Sequence, residues 1–186
     1  MKHTYLSSNR IRLRAMEPED LELILHLEND PDQWDICNFT VPYSRYAVKR
    51  YLEETKNDLF ADQELRLVIV RRADGAAIGT IDVVDFSPLH KRGEVGIVIG
   101  REFRGAGYAK EALLLLCDYA FDYLGLKQLA VHIPTDHAVS LHLFTACGFV
   151  QCGLLKEWIC VEGTYRDVAL LQRINRQTET PPPSSQ

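Results

Sequence analysis

Gly93-Glu94-Val95-Gly96-Ile97-Val98-Ile99-Gly100-Arg101-Glu102-Phe103-Arg104-Gly105-Ala106-Gly107-Tyr108-Ala109 is the stretch on which the reading of this chain turns. Its first half is apolar and rich in β-branched residues, as a buried strand requires. A basic, glycine-containing turn follows, and then a long apolar run of helical character. That order builds an anion site. Gly105 and Gly107 let the backbone come close to a ligand, and the first amides of the next helix have no partner within it. Those amides, at the positive end of the helix dipole, suit a phosphate or pyrophosphate. A Gly-x-Gly-x-x-Gly dinucleotide fingerprint fails, because Lys110 stands where its third glycine belongs. A P-loop fails too, since Gly-Lys-Ser/Thr occurs nowhere in the chain.

At 186 residues the chain is sized for one well-cored domain rather than two. Hydrophobic residues at 46% and charged residues at 25% are ordinary globular values. A net charge of -5 without a basic cluster argues against nucleic acid as a partner and sits comfortably with a cationic substrate. No apolar run approaches the roughly 18 residues of a membrane span, and Met1 to Tyr5 holds no signal core. Cys37, Cys117, Cys147, Cys152 and Cys160 are odd in number and form no Cys-x-x-Cys pair, so they read as reduced thiols of a cytoplasmic protein. Neither they nor the histidines fall at ligand spacing, and no metal is expected.

Outward from the central stretch, Ile11-Arg12-Leu13-Arg14 alternates as a half-buried strand. Pro18 opens a helix, followed by Glu19 and Asp20, with Leu21, Ile24, Leu25 and Leu27 forming its apolar face. Between Pro31 and Pro42 the chain is irregular, and Trp34 reads either as packing over the core edge or as a substrate-site wall. Ser44 caps a second helix whose apolar positions include Tyr46, Ala47, Val48, Tyr51 and Leu52. Residues 65–70 and 78–84 are the arms of a hairpin around Asp74-Gly75. After the central strand, a helix from about Gly105 to Leu124 is apolar on most sides, and Gly125 ends it. Residues 129–133 form the next strand, stopped by Pro134. Asp136 or Thr135 caps a short helix that ends at Gly148, and strands at 149–160 and 165–174 meet at the Glu162-Gly163 turn. Residues 1–175 therefore read as one domain, and 176–186, rich in proline and serine, as a disordered tail.

Arg104-Gly105-Ala106-Gly107-Tyr108-Ala109 resembles the Gln/Arg-x-x-Gly-x-Gly/Ala signature of the GNAT N-acetyltransferases, in which these amides hold the pyrophosphate of acetyl-CoA. The order of elements is similar to that family's over about residues 8–174. The resemblance implies an α+β, three-layer fold: a mixed, mostly antiparallel sheet of about six or seven strands, with helices on both faces. His90 to Ile99 resembles the corresponding strand of spermidine N-acetyltransferases, and Ala138 to Phe149 the family's helix ending in Gly-Phe. Glu162-Gly163-Thr164-Tyr165-Arg166-Asp167 resembles a turn shared by the spermidine enzymes and the ribosomal-protein N-terminal acetyltransferases. Both branches often form homo-oligomers, so a dimer or higher assembly is implied. Two acceptors stay open, a polyamine such as spermidine and a protein N-terminus. A non-catalytic acyl-CoA-binding module is the alternative of a different class.

An aliphatic ammonium has a pKa near 10.4, so only about one molecule in a thousand is nucleophilic at neutral pH. Its acetylation needs a base, a polarised thioester carbonyl and an acid for the departing thiolate. The resemblance implies direct attack in a ternary complex, and it places Ile97, Val98 and Ile99 of the strand and Arg104, Gly105, Ala106, Gly107, Tyr108 and Ala109 of the loop against the cofactor. Glu94 is the candidate base, with a surface pairing to Lys91 or Arg92 as the plain alternative. Asp82 and Asp85 are candidates to hold a cationic acceptor, together with Trp34 and Glu94, and strand alternation exposes one of the two aspartates. Glu157 on the late strand is a further candidate. The resemblance also shows two departures: His137 stands where the family has an asparagine cofactor contact, and Phe144 where a tyrosine commonly protonates the thiolate. Ser140 matches a serine used near the thiolate in the ribosomal branch, which makes it the replacement acid, with His137 as the other candidate.

Overall fold

A computed structural model of the chain describes residues 5–30 and 42–176. Its strands are β1 (Ile11–Ala15), β2 (Leu65–Arg71), β3 (Ala77–Ser87), β4 (Arg92–Ile99), β5 (Gln128–Pro134), β6 (Val150–Val161) and β7 (Thr164–Ile174). They form one sheet in the order β1-β2-β3-β4-β5-β7-β6. Every neighbouring pair is antiparallel except β4 and β5, which run parallel. A parallel pair needs a crossover, and a helix supplies it here. The helices are α1 (Leu21–Glu28), α2 (Arg45–Glu54), α3 (Leu59–Asp62), α4 (Tyr108–Asp118) and α5 (Ala138–Ala146). The α+β fold expected from the sequence is the fold observed, with seven strands.

Alternation along the strands gives the sheet two unlike faces. Leu67, Ile69, Ile81, Val83, Val95 and Ile99 are register partners on one face, and α4 buries Ala112, Leu113 and Leu116 in the same core. Each such aliphatic side chain contributes about 1.5–3 kcal/mol. Across the sheet, α1 and α2 bring Ile24 and Val48 to a face that also carries Arg66, Asp82 and Glu94. Both faces are packed, with Ile24, Val48 and Val68 buried on the second, and it is the second that carries the charged cluster.

Local signals are met with a few shifts. Ser44 caps α2, its Oγ accepting from the Ala47 amide at 3.1 Å, although Tyr46 is 70% exposed rather than an inward position. At the β6–β7 turn, Glu162 and Gly163 have φ of 48° and 78°, the two left-handed residues that a tight hairpin turn demands. The central helix is shorter than the span Gly105 to Leu124. It begins at Tyr108, because left-handed Gly107 cannot be part of it, and a π-helical turn, Tyr119–Tyr123, closes it. Nor is it buried all round, since Leu114 and Tyr123 reach solvent. The cap of α5 is His137, not Asp136 or Thr135. α3 was not anticipated; Asp58 caps it by accepting from the Phe60 and Ala61 amides. Trp34 and the tail beyond residue 176 lie outside the described residues.

Candidate active site

The site begins where the sheet parts. β4 and β5 pair only over Arg92–Glu94 and Gln128–Ala130. Beyond that, β4 continues against β3 as far as Ile99, and β5 continues against β7 as far as Pro134. The Gly100 amide donates to Ile78 of β3 at 2.9 Å. Alternation then turns the Ile97 and Ile99 amides the other way, into the opening, where a carbonyl can accept from them.

At the end of β4 the glycine loop closes the opening. Gly105 (φ +77°) and Gly107 (φ +82°) are both left-handed. No atom lies within 4 Å of where a Cβ on Gly105 would stand, and on Gly107 only Arg10 Nη1 approaches, at 3.8 Å. Gly107 caps α4 without a side chain, so no side chain takes the first-turn amides. Arg104 bends back and its Nε donates to the Ile99 carbonyl at 2.8 Å, tying the loop to the strand end. Arg10 braces the other side: Nη2 donates to the Ala106 carbonyl at 2.6 Å, and the guanidinium lies 4.7 Å over the Tyr108 ring. Residues 104–107 are exposed, with Tyr108 and Ala109 half-buried behind them. A braced loop with open amides fits a pyrophosphate.

On the polar face, Glu94 and His132 meet across the end of the β4–β5 pairing. Glu94 Oε2 lies 2.8 Å from His132 Nδ1, with side chains 27% and 33% exposed. Glu94 is thus paired with His132 rather than with Lys91 or Arg92. Sequence reading placed His132 in its strand but gave it no task. Alternation already put it on the non-core face, yet only the parallel register, Glu94 opposite Ala130, brings it beside Glu94.

Next to this pair, Asp82 lies over Gly96, its Oδ2 3.5 Å from where a Cβ there would stand. Arg66 grips Asp82 with two bonds (3.0 and 3.2 Å) and donates to Glu28 at 2.7 Å, with Glu64 at 3.8 Å. Burial pushes the Asp82 carboxyl up to about 6, against the downward pull of Arg66. Asp85, by contrast, is exposed on a bulge with φ of 48°. Glu157 sits on edge strand β6, with β7 and β5 between it and the opening, and its amide donates to Asp167 at 2.9 Å.

α5 starts just past the end of β5. His137 Nδ1 accepts from the Ser140 amide at 3.2 Å. The neutral ring therefore carries its proton on Nε2, and the cap role falls to His137 rather than to the Ser140 hydroxyl. Phe144 is 3% exposed and packs edge-on against Phe149, with centroids 5.0 Å apart. Among the described residues, no three His, Cys, Asp or Glu side chains gather as a metal site, and no helix is long and apolar enough to cross a membrane.

A family model described as an acetyltransferase (GNAT) domain matches residues 10–150. The chain belongs to the GNAT acetyltransferase family. The spermidine N(1)-acetyltransferase of Vibrio cholerae is 30% identical over 161 residues, covering 87% of this chain and 91% of that protein. A crystal structure of the Vibrio cholerae spermidine N-acetyltransferase in complex with CoA and spermine superposes with a TM-score of 0.80 at 27% identity, over 90% of this chain and 96% of that one. A dodecameric structure of the same relative gives 0.77 at 26% identity, over 92% and 100%. The putative ribosomal N-acetyltransferase YdaF of Bacillus subtilis is 26% identical, over 57% of this chain and 58% of that protein. This GNAT chain is an N-acetyltransferase.

Proposed function

We propose that the chain uses acetyl-CoA to acetylate a primary amine by direct attack, and that the acceptor is a polyamine such as spermidine. The observation that carries the acceptor is the acidic polar face. A cavity of about 220 Å³ is lined by Ile24, Glu28, Tyr43, Tyr51, Glu64 and Arg66, and Asp82 links it to the opening between β4 and β5. Three carboxylates (Glu28, Glu64, Asp82) surround one guanidinium (Arg66), and Glu94 stands beyond them. An extended polycation is the small molecule that such a row of carboxylates suits.

Bound acetyl-CoA supplies the activated acetyl group; the rest is done by the chain. The amides of residues 105–109 bind the pyrophosphate, with Arg104 holding the loop in place. The Ile97 and Ile99 amides polarise the thioester carbonyl, with Val98 on the same strand. Asp82 attracts the cationic acceptor, with the exposed Asp85 standing apart from it; the Glu94–His132 pair takes the acceptor's proton, and Ser140 returns a proton to the thiolate. The assembly is a homo-oligomer, for which edge strand β6 and its hairpin partner leave Val150, Leu154, Trp158 and Tyr165 exposed. Free thiols at Cys117, Cys147, Cys152 and Cys160 support a reducing, cytoplasmic setting.

Thermal melting with acetyl-CoA, CoA, ATP and NAD tests the donor site. At ~100 times its dissociation constant a ligand adds about 2.7 kcal/mol, roughly 5–11 °C for a chain of this size. Stabilisation by acetyl-CoA and CoA is expected; none with either overturns the reading. Thiol release with spermidine then tests the acceptor. Release with N-terminal peptides alone moves the acceptor to proteins, and binding without any release identifies an acyl-CoA-binding module.

A further inference from the structure

We infer that His132 is the group that receives the proton of the incoming amine, and that Glu94 acts behind it as a positioning residue. The inference rests on the amine-acetylation reading and refines which atom serves it. Glu94 is the last β4 residue paired with β5, and its side chain shares a face with Ala130 and His132. Ala130 has no polar group, so His132 is the first β5 side chain on that face, past the end of the pairing, that can handle a proton. A carboxylate can only accept, so Nδ1 at 2.8 Å from Glu94 Oε2 carries a hydrogen and Nε2 is left with its lone pair. Glu94 has already committed an oxygen to this bond. The imidazole, one step further into the opening, is the better-placed base, and imidazole is the side chain most often used for such proton transfers.

In the step, an N–H bond of R–NH₃⁺ breaks and its proton joins Nε2, directly or through one water, giving R–NH₂ and an imidazolium balanced by the Glu94 carboxylate. The freed lone pair forms the N–C bond to the acetyl carbon as the C–S bond breaks. The thiolate leaves with that electron pair and takes the Ser140 hydroxyl proton. The second N–H proton of the new N-acetyl group passes through water to the Ser140 oxygen, leaving a neutral amide and the imidazolium. On this face β4 contributes Arg92 with Glu94, β3 contributes Thr80 and Asp82, and Asp82 is held by Arg66 of β2, which also pairs with Glu28 of α1 and with Glu64. Opposite Ala130 and His132, β7 places Gln172 and Leu170, both uncharged, and Gln172 donates to Gln128 at 2.6 Å. Glu94 is therefore the carboxylate poised to set the ring's tautomer and charge.

The experiment has two arms on full-length protein. In the first, kcat/KM for spermidine with acetyl-CoA is followed by thiol release from pH 5.5 to 9 in wild type, His132→Gln, Glu94→Gln and Glu94→Asp. His132→Gln should lower kcat about 10²- to 10³-fold with KM for acetyl-CoA unchanged, and should erase the acidic limb of the profile. Glu94→Gln should cost about tenfold and move that limb to lower pH, and Glu94→Asp should restore part of both. If His132→Gln keeps the rate and the limb while Glu94→Gln loses them, Glu94 is the base and the inference falls. In the second arm, long-range ¹H–¹⁵N spectra of the free protein read the His132 tautomer. A neutral ring protonated at Nδ1 is expected; one protonated at Nε2 overturns the inference. A wild type that turns over no amine would sink the acetylation reading instead, and the tautomer would still decide the pairing.

Discussion

Replacing Arg66 with methionine tests the view that this guanidinium holds the acidic face together. The Arg66 side chain is 17% exposed, and its partners Glu28 and Asp82 are 16% and 13% exposed. Methionine keeps much of the volume but removes the fork on Asp82 and a charge beside Glu28 and Glu64. Losing one partner of a buried ion pair costs about 3–5 kcal/mol. Because these groups keep some contact with solvent, the lower end applies, about 3 kcal/mol, or roughly 6–12 °C in Tm. The pH dependence sharpens the test. Asp82 is raised to about 6, first by burial, with Arg66 pulling the other way. Its folded value thus lies above the unfolded one near 4. Its contribution to stability is full below about pH 4 and is lost as pH rises through 6. Without Arg66 the upward push is unopposed, so the loss extends to higher pH. Urea denaturation of both proteins at pH 5 and pH 8 should therefore show the larger difference at pH 8. A difference below about 1 kcal/mol at pH 8, or one equal at both values, refutes the reasoning.

Other perturbations follow from the same geometry. Gly107→Ala forces an L-residue to φ +82°, costing about 1–2 kcal/mol, and should raise KM for acetyl-CoA roughly 5- to 30-fold in steady-state assays. Ser140→Ala should lower kcat at least tenfold with both KM values retained; full activity would pass thiolate protonation to His137 Nε2 or to water. Trp158→Lys places a charge on an exposed edge-strand residue, and light scattering after size exclusion should find smaller assemblies. An unchanged mass would clear that edge of any part in assembly.

Much of the fold could be read because its signals are local. Asp74-Gly75 and Glu162-Gly163 announce their hairpins, and Ser44 and Gly148 sit at helix ends by their own chemistry. The glycines of the loop at 104–109 announced an anion site for the same reason. What escaped depends on distant residues. The Glu94–His132 contact spans 38 positions and requires the parallel register. Arg66 reaches Glu28, 38 positions away, and Asp82, 16 away, so Asp82, which the sequence singles out alone, belongs to a cluster drawn from a helix and two strands. His137 was read as a replaced cofactor contact, and its capping role became visible only through its bond to the Ser140 amide. α3, four residues long, is too short for any periodicity to show.

Among the described residues, three register pairs, Arg92–Gln128, Gly93–Leu129 and Glu94–Ala130, make up the strand pairing between β1–β4 and β5–β7. Mechanically the sheet is two panels sharing a short hem. A pulling force applied across it would meet its weakest line there, and in native hydrogen exchange the Ile97 and Ile99 amides should be the quickest of β4 to trade with solvent. A donor lying along β4 would serve as a strand not made of protein, lengthening the hem as it binds. Loading the enzyme and stiffening its sheet are then a single event.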